Sequence, residues 1–220
     1  MLPTLVKVIG FDLDQTLYPK SPEIDTAIQN YLYEKIAELR QINLSEAKKL
    51  FDGLYQSGRG LSGSKSMIVL GFPEGRAKDI VQEALENAPI AKFLTPNTTI
   101  LSLLTELKQK YESIDIITGS NQSNAAIKMQ KLSLPTYLFS HIITADDASK
   151  SDYSAFKLWF SFYPKLEPQN FLYIGDRVSS DYEKPRELGI QSILVNIKTP
   201  DEGVDCPQLP SLQSIKAYLL

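Results

Sequence analysis

From Leu5 to Phe11 the chain is almost continuously apolar and rich in β-branched residues, and the run stops at Asp12. That is the pattern of a strand buried on both faces of a parallel sheet. Similar runs occupy 114–117 before Thr118-Gly119, 142–144 before Asp146, 171–174 before Gly175-Asp176, and 193–195 before Asn196. Between them apolar residues fall at helical spacing: Ile100, Leu103, Leu104 and Leu107, then Ala125, Ile127, Met129 and Leu132, then Ala155, Phe156, Trp159 and Phe160. Such alternation predicts a parallel α/β sheet with right-handed crossovers, whose polar loops gather at the carboxyl ends of the strands. Chemistry is expected at that edge.

Residues from about Pro19 to Thr95 interrupt the alternation, because they read as successive helices. Ser21-Pro22-Glu23 has the form of a helix start, with a capping hydroxyl, a proline at the first helical position and an acid at the positive end of the dipole. Ile24, Ile28, Tyr31, Leu32 and Leu39 then recur on one face. Later helices are predicted around Ala47, Leu50, Phe51 and Leu54 and around Ile80, Val81, Ala84 and Leu85, with loops at 58–63 and 71–75. The expected organisation is an α/β core over 1–18 and 95–220, with a helical cap over 19–94 that can act as a lid. Pro- and acid-rich residues 199–210 read as a surface loop before a short last helix.

Composition narrows the classes. Of 220 residues, 43% are hydrophobic and 22% charged, as in ordinary globular chains, which disfavours disorder and coiled coil. The balance of 23 Lys and Arg against 26 Asp and Glu leaves −3 with no basic concentration, so a nucleic-acid polymer is a poor partner. No run approaches the roughly 18 apolar residues of a membrane span. Cys206 is the single cysteine, and the start of the chain does not suit a signal peptide, so a cytoplasmic protein, monomer or homodimer, is expected. The lone His141 excludes mechanisms that need two histidines.

Two carboxylates, Asp12 and Asp14, leave the end of the first strand, and Asp176 and Asp181 leave the fourth. Each has a local alternative, a turn for the first three and a helix cap for Asp181. Brought to one edge, however, they repel unless a cation neutralises them. All-oxygen ligands select a hard ion, and Mg²⁺ fits. Thr118 and the adjoining backbone can donate to phosphate oxygens, although a threonine that merely closes a strand is the commoner case. Lys150 precedes a helix, where the dipole disfavours a cation, so an anionic partner is expected for it, from Asp12, Asp14 and Asp176 or a bound phosphate. Asp146-Asp147 reads as a polar turn, and Trp159, Met67 and Met129 as core or domain-interface residues.

In order and spacing, Asp12-Leu13-Asp14-Gln15-Thr16, Thr118, Lys150 with Asp152 and Phe156, and Gly175-Asp176 with Asp181 resemble the four motifs of the haloacid dehalogenase superfamily. The helical insertion is similar to the cap of its subfamily I. Phe11 to Pro19 looks like the pyrimidine 5′-nucleotidase-type branch. Ser151 departs from the proline common after the motif lysine, and Pro185-Arg186 from the usual alanine.

The resemblance implies a Rossmann-like, doubly wound core and a phosphatase acting on a small phosphorylated metabolite, a nucleoside monophosphate or sugar phosphate. Asp12 would be the nucleophile and Asp14 a general acid/base with a raised pKa. Thr118, Gly119 and Lys150 would hold the phosphate. Mg²⁺ would lie on Asp12, the main-chain carbonyl of Asp14 and Asp176, with Asp181 a direct or indirect partner. Thr16 would bond nearby backbone and keep Asp14 aimed inward. Arg59, Lys65 and Arg76 are candidates for contacting the leaving group, and Tyr18 either joins the site or packs under the cap. Rival readings are a phosphorylation-dependent signalling module and a non-catalytic binding protein on the same scaffold.

Overall fold

A computed structural model describes residues 5–56 and 61–220. The chain forms two compact units, one from 1–20 with 94–220 and the other from 21–93. In the first, strands β1 (Val8–Phe11), β2 (Ser113–Ile117), β3 (Ile142–Ile143), β4 (Phe171–Gly175) and β5 (Gln191–Leu194) make a parallel sheet of order β3-β2-β1-β4-β5. The helices of this unit are α5 (Thr98–Lys110), α6 (Gln122–Lys131), α7 (Ser154–Ser161), α8 (Lys184–Glu187) and α9 (Lys216–Leu219). This is the expected haloacid dehalogenase-like α/β architecture. β1 lies between β2 and β4, so the loops that follow these three strands leave from the middle of one edge.

The strand ends differ from the sequence expectation for local reasons. β1 starts at Val8 because Leu5 is 53% exposed and Lys7 pairs with Glu112 at the surface. β3 stops at Ile143 because the N–H and hydroxyl of Thr144 both turn to the Asp147 carboxylate. The helix expected after Gly175-Asp176 opens with a π-turn, Ser179–Glu183, before α8. Pro185 has no N–H for the carbonyl four residues back, and its ring crowds that carbonyl, which favours a widened turn.

Packing fixes the sheet's position. Trp159 of α7 is fully buried, and its indole Nε1 donates to Asp115 of β2 at 2.8 Å. The same carboxylate accepts from Ser113 Oγ, the His141 N–H and Tyr163 OH, so a charge inside β2 is fully bonded. The backbone of β1 approaches Trp159 closely enough that a Cβ on Gly10 would fall 2.7 Å from the indole and 2.6 Å from Ile117.

The second unit holds α1 (Pro22–Arg40), α2 (Leu44–Tyr55), α3 (Gly63–Val69) and α4 (Glu74–Asn87) around Tyr33, Ile36, Phe51, Met67, Ile80 and Ala84. Ser21 caps α1 through the Ile24 N–H, with Pro22 at the first position. Helix α3 begins inside what reads from sequence as a loop, because Ser62 accepts the Lys65 N–H and Met67 drops into the core. No helix among the described residues is long and apolar enough to cross a membrane.

Gly10→Ala is expected to cost about 1–3 kcal/mol through overpacking. Gly53→Ala, inside α2 with nothing within 4 Å of the new methyl, is expected to gain up to about 1 kcal/mol. Urea unfolding of the two variants checks both signs, and a neutral Gly10→Ala would contradict the close packing of β1 on α7.

Candidate active site

Asp12 leaves β1 with its N–H bonded to the Ile174 carbonyl of β4 at 2.8 Å, so the nucleophile candidate starts from a fixed backbone. Lys150, from the loop between β3 and α7, donates to Asp12 Oδ1 and Asp181 Oδ1, both at 2.8 Å, and to Tyr173 OH at 3.1 Å. Tyr173 in turn donates to the Ile117 carbonyl at 2.6 Å. One buried ammonium thus ties together the loops after β1, β3 and β4 and, through the phenol, the end of β2.

Asp181 is wholly buried, and its Oδ2 accepts the N–H groups of Asp176 and Arg177 at 3.1 and 3.0 Å. It therefore closes its own loop backwards instead of capping the following helix. A Cβ on Gly175 would lie 2.3 Å from this carboxylate, so only glycine permits the approach.

Asp14 points into a second cluster. Ser120 Oγ donates to its Oδ2 at 2.6 Å, while Lys128 Nζ donates to its Oδ1 at 2.6 Å and to Ser120 Oγ at 2.8 Å. Tyr18 OH also donates to Oδ1. Burial alone raises this carboxyl, but the Lys128 ammonium and the bonds from Lys128, Ser120 and Tyr18 outweigh it and hold the group below its ordinary value. This corrects the expected raised pKa. Tyr18 belongs to the site, and burial with the adjacent Asp14 pushes its phenol upward. Thr16 also differs from expectation: its hydroxyl aims at Asp12 Oδ2, at 3.5 Å.

Thr118 is buried at the end of β2 and its Oγ1 accepts the Ser120 N–H at 3.0 Å, which shapes the loop holding Gly119. A Cβ on Gly119 would meet nothing within 4 Å, so that backbone borders open space. Asp146 and Asp147 do turn work, on the Gln122 N–H and on Thr144. Among the other candidates, Arg59 lies outside the described residues. Lys65 is exposed on α3, and Arg76 on α4 is engaged by both oxygens of Glu83. Sequence reasoning missed Lys128, Ser120 and Tyr173. A signal for Lys128 exists, since it shares the apolar face of α6 with Ala125 and Met129.

Asp12, Asp176 and Asp181 each present an oxygen within 4.8 Å of the others, and Asp14's carboxylate stands outside the trio. Burial pushes Asp12 up to about 7, with Lys150 pulling down and Asp181, Asp176 and Asp14 adding to the rise. Burial likewise pushes Asp176 up to about 6, against Arg177. Carboxylates so reluctant to ionise, offering only oxygen, fit a hard divalent cation.

A family model of haloacid dehalogenase-like hydrolases matches residues 9–195. The chain belongs to that family. Among curated proteins this hydrolase is 24% identical over 198 residues to a glyceraldehyde 3-phosphate phosphatase of Methanocaldococcus jannaschii, covering 87% of this chain and 85% of the relative. Solved structures with the same fold include a haloacid dehalogenase-like hydrolase of Streptococcus pneumoniae, with TM-score 0.67 and 19% identity over 99% of this chain and 100% of that one. A Bacillus subtilis hydrolase of this type, described as bound to magnesium, has TM-score 0.61 and 17% identity over 97% of this chain and 98% of that one.

The raised carboxyls set a pH dependence. Folded Asp12 and Asp176 keep protons that the unfolded chain loses near its ordinary value of 3.8. Metal-free stability is therefore expected to fall as pH rises from about 4 through about 7, because the unfolded state binds fewer protons there. A cation favours the ionised carboxylates, so added Mg²⁺ is expected to raise Tm more at about pH 7.5 than at about pH 5. An equal Mg²⁺ effect at both pH values would remove these groups as ligands.

Proposed function

We propose that this hydrolase is a Mg²⁺-dependent phosphatase that cleaves a small phosphorylated metabolite through an aspartyl-phosphate on Asp12. The observation that carries the reading is the buried Lys150 ammonium bonded to both Asp12 and Asp181 inside an all-oxygen acidic cluster. Such a site suits a carboxylate that must meet an anionic phosphate ester.

In the first displacement an Asp12 oxygen bonds to phosphorus and the ester P–O bond breaks, with a proton delivered to the leaving oxygen by Asp14. In the second, Asp14 takes a proton from water as its oxygen attacks phosphorus and the Asp12–phosphorus bond breaks. Thr118 Oγ1, the Gly119 N–H and Lys150 Nζ would hold the phosphoryl oxygens. A divalent cation on Asp12, Asp176 and the Asp14 main-chain carbonyl, with Asp181 bound directly or through water, would screen nucleophile from phosphate. Asp181, whose oxygens already accept from Lys150 and two backbone N–H groups, is suited to holding the loop. Substrate selection is assigned to the helical unit, cap of the family resemblance, through Arg59, Lys65 and Arg76. The relative named for glyceraldehyde 3-phosphate puts sugar phosphates first and nucleoside monophosphates second.

Phosphate release from such a panel with Mg²⁺ tests the reading. Asp12→Asn is expected to lower turnover by at least about 10³-fold, and Asp14→Asn by about 10²–10⁴-fold. An Asp12→Asn enzyme as active as the parent would remove the covalent route.

Lys128, Ser120 and Tyr18 together outweigh burial and favour the ionised form of Asp14, so the proton for the leaving group is proposed to arrive with the substrate monoanion. For an alkyl phosphate at saturating Mg²⁺, kcat/KM is therefore expected to decline above about pH 6, where the monoanion disappears. A profile flat to about pH 8 would require another proton source.

A further inference from the structure

We propose that Lys128 is the positioning residue of the acid/base: its ammonium, clamped between Asp14 Oδ1 and Ser120 Oγ, sets the direction in which the Asp14 carboxylate points. The inference rests on the phosphatase reading above and goes beyond it, because Lys128 belongs to none of the four motifs.

Lysine is among the side chains least often buried, yet Lys128 is 4% exposed, and its Nζ makes bonds of 2.6 and 2.8 Å to Asp14 and Ser120. Its helix is anchored at the start. Asn121 caps α6 through the Asn124 N–H, and Asp146 accepts the Gln122 N–H at 2.9 Å. The turn that leads from β2 into α6 also carries Thr118, so the proposed phosphate loop runs directly into the helix that bears the lysine aiming Asp14.

The two ammonium groups divide the work. Lys150 bonds Asp12 and Asp181, whereas Lys128 bonds Asp14, so nucleophile and acid/base are held independently. Without Lys128, Tyr18 and Ser120 remain as partners, but Tyr18 lies in the same loop as Asp14 and Ser120 loses its own second anchor. The carboxylate then has rotational freedom that a general acid cannot afford.

The test is the leaving-group dependence of kcat/KM, which covers binding and the first displacement and excludes the second. An alkyl phosphate needs a well-aimed acid and 4-nitrophenyl phosphate does not. Lys128→Met in the full-length, Mg²⁺-saturated enzyme is expected to lower kcat/KM about a hundredfold for glycerol phosphate, and no more than about threefold for 4-nitrophenyl phosphate. Ser120→Ala, which leaves Lys128 in place, is expected to shift the ratio in the same direction by a smaller factor, and it decides the matter if Lys128→Met does not fold. Equal losses on both substrates in the folded variants, as a merely structural role gives, would overturn the proposal. Asp14→Asn serves as the reference. If it shifts the ratio and the Lys128 and Ser120 variants do not, the positioning role alone is wrong. If it leaves the ratio unchanged, the acid/base reading falls and the positioning role with it.

Discussion

Charge compensation at one sheet edge is the constraint on which the site depends. Asp12, Asp14, Asp176 and Asp181 converge there, and burial first, with neighbouring carboxylates adding to it, drives protons back onto Asp12 and Asp176. Two lysines answer this at different points. Lys150 sits between Asp12 and Asp181, and Lys128 sits on Asp14. Asp12 and Asp176, the carboxyls that burial pushes upward, are among those assigned to a metal ion. The acid best neutralised is the one assigned to proton transfer.

The sheet makes this convergence possible. With β1 flanked by β2 and β4, residues separated by more than a hundred positions leave parallel strands side by side. Two glycines keep the approaches short, Gly10 where β1 meets Trp159 and Gly175 where β4 meets Asp181. Behind them, Asp115 collects donors from β2, Trp159, Tyr163 and the backbone at His141, and binds the sheet to the chain around α7 without taking part in the site.

Much of this was legible in the residues. Apolar runs ending in Asp12, Thr118 and Asp176 marked the strands and their chemical ends, because a strand buried on both faces leaves little room for polar residues except where it stops. Lys150 was legible through its unfavourable place before a helix, and it bonds Asp12 as expected, but its second acid is Asp181 and not Asp14 or Asp176. Lys128 was not. Nothing in the spacing directs this lysine, one of two on α6, toward Asp14, and Ser120 reads as an ordinary turn residue. The direction of the Asp14 shift was misjudged for the same reason, since it depends on those two partners.

The order of strands and helices, the helical insertion and the identities of the acids follow from the sequence by itself, because they arise from local periodicity and from residue chemistry. Which carboxylate each lysine meets, where Tyr18 and Tyr173 send their hydroxyls, and which acids carry raised or lowered proton affinities were decided only by the tertiary structure. Hydrogen bonds and Coulomb interactions act through space over a few ångströms, and only the folded sheet brings residue 14 within reach of residue 128.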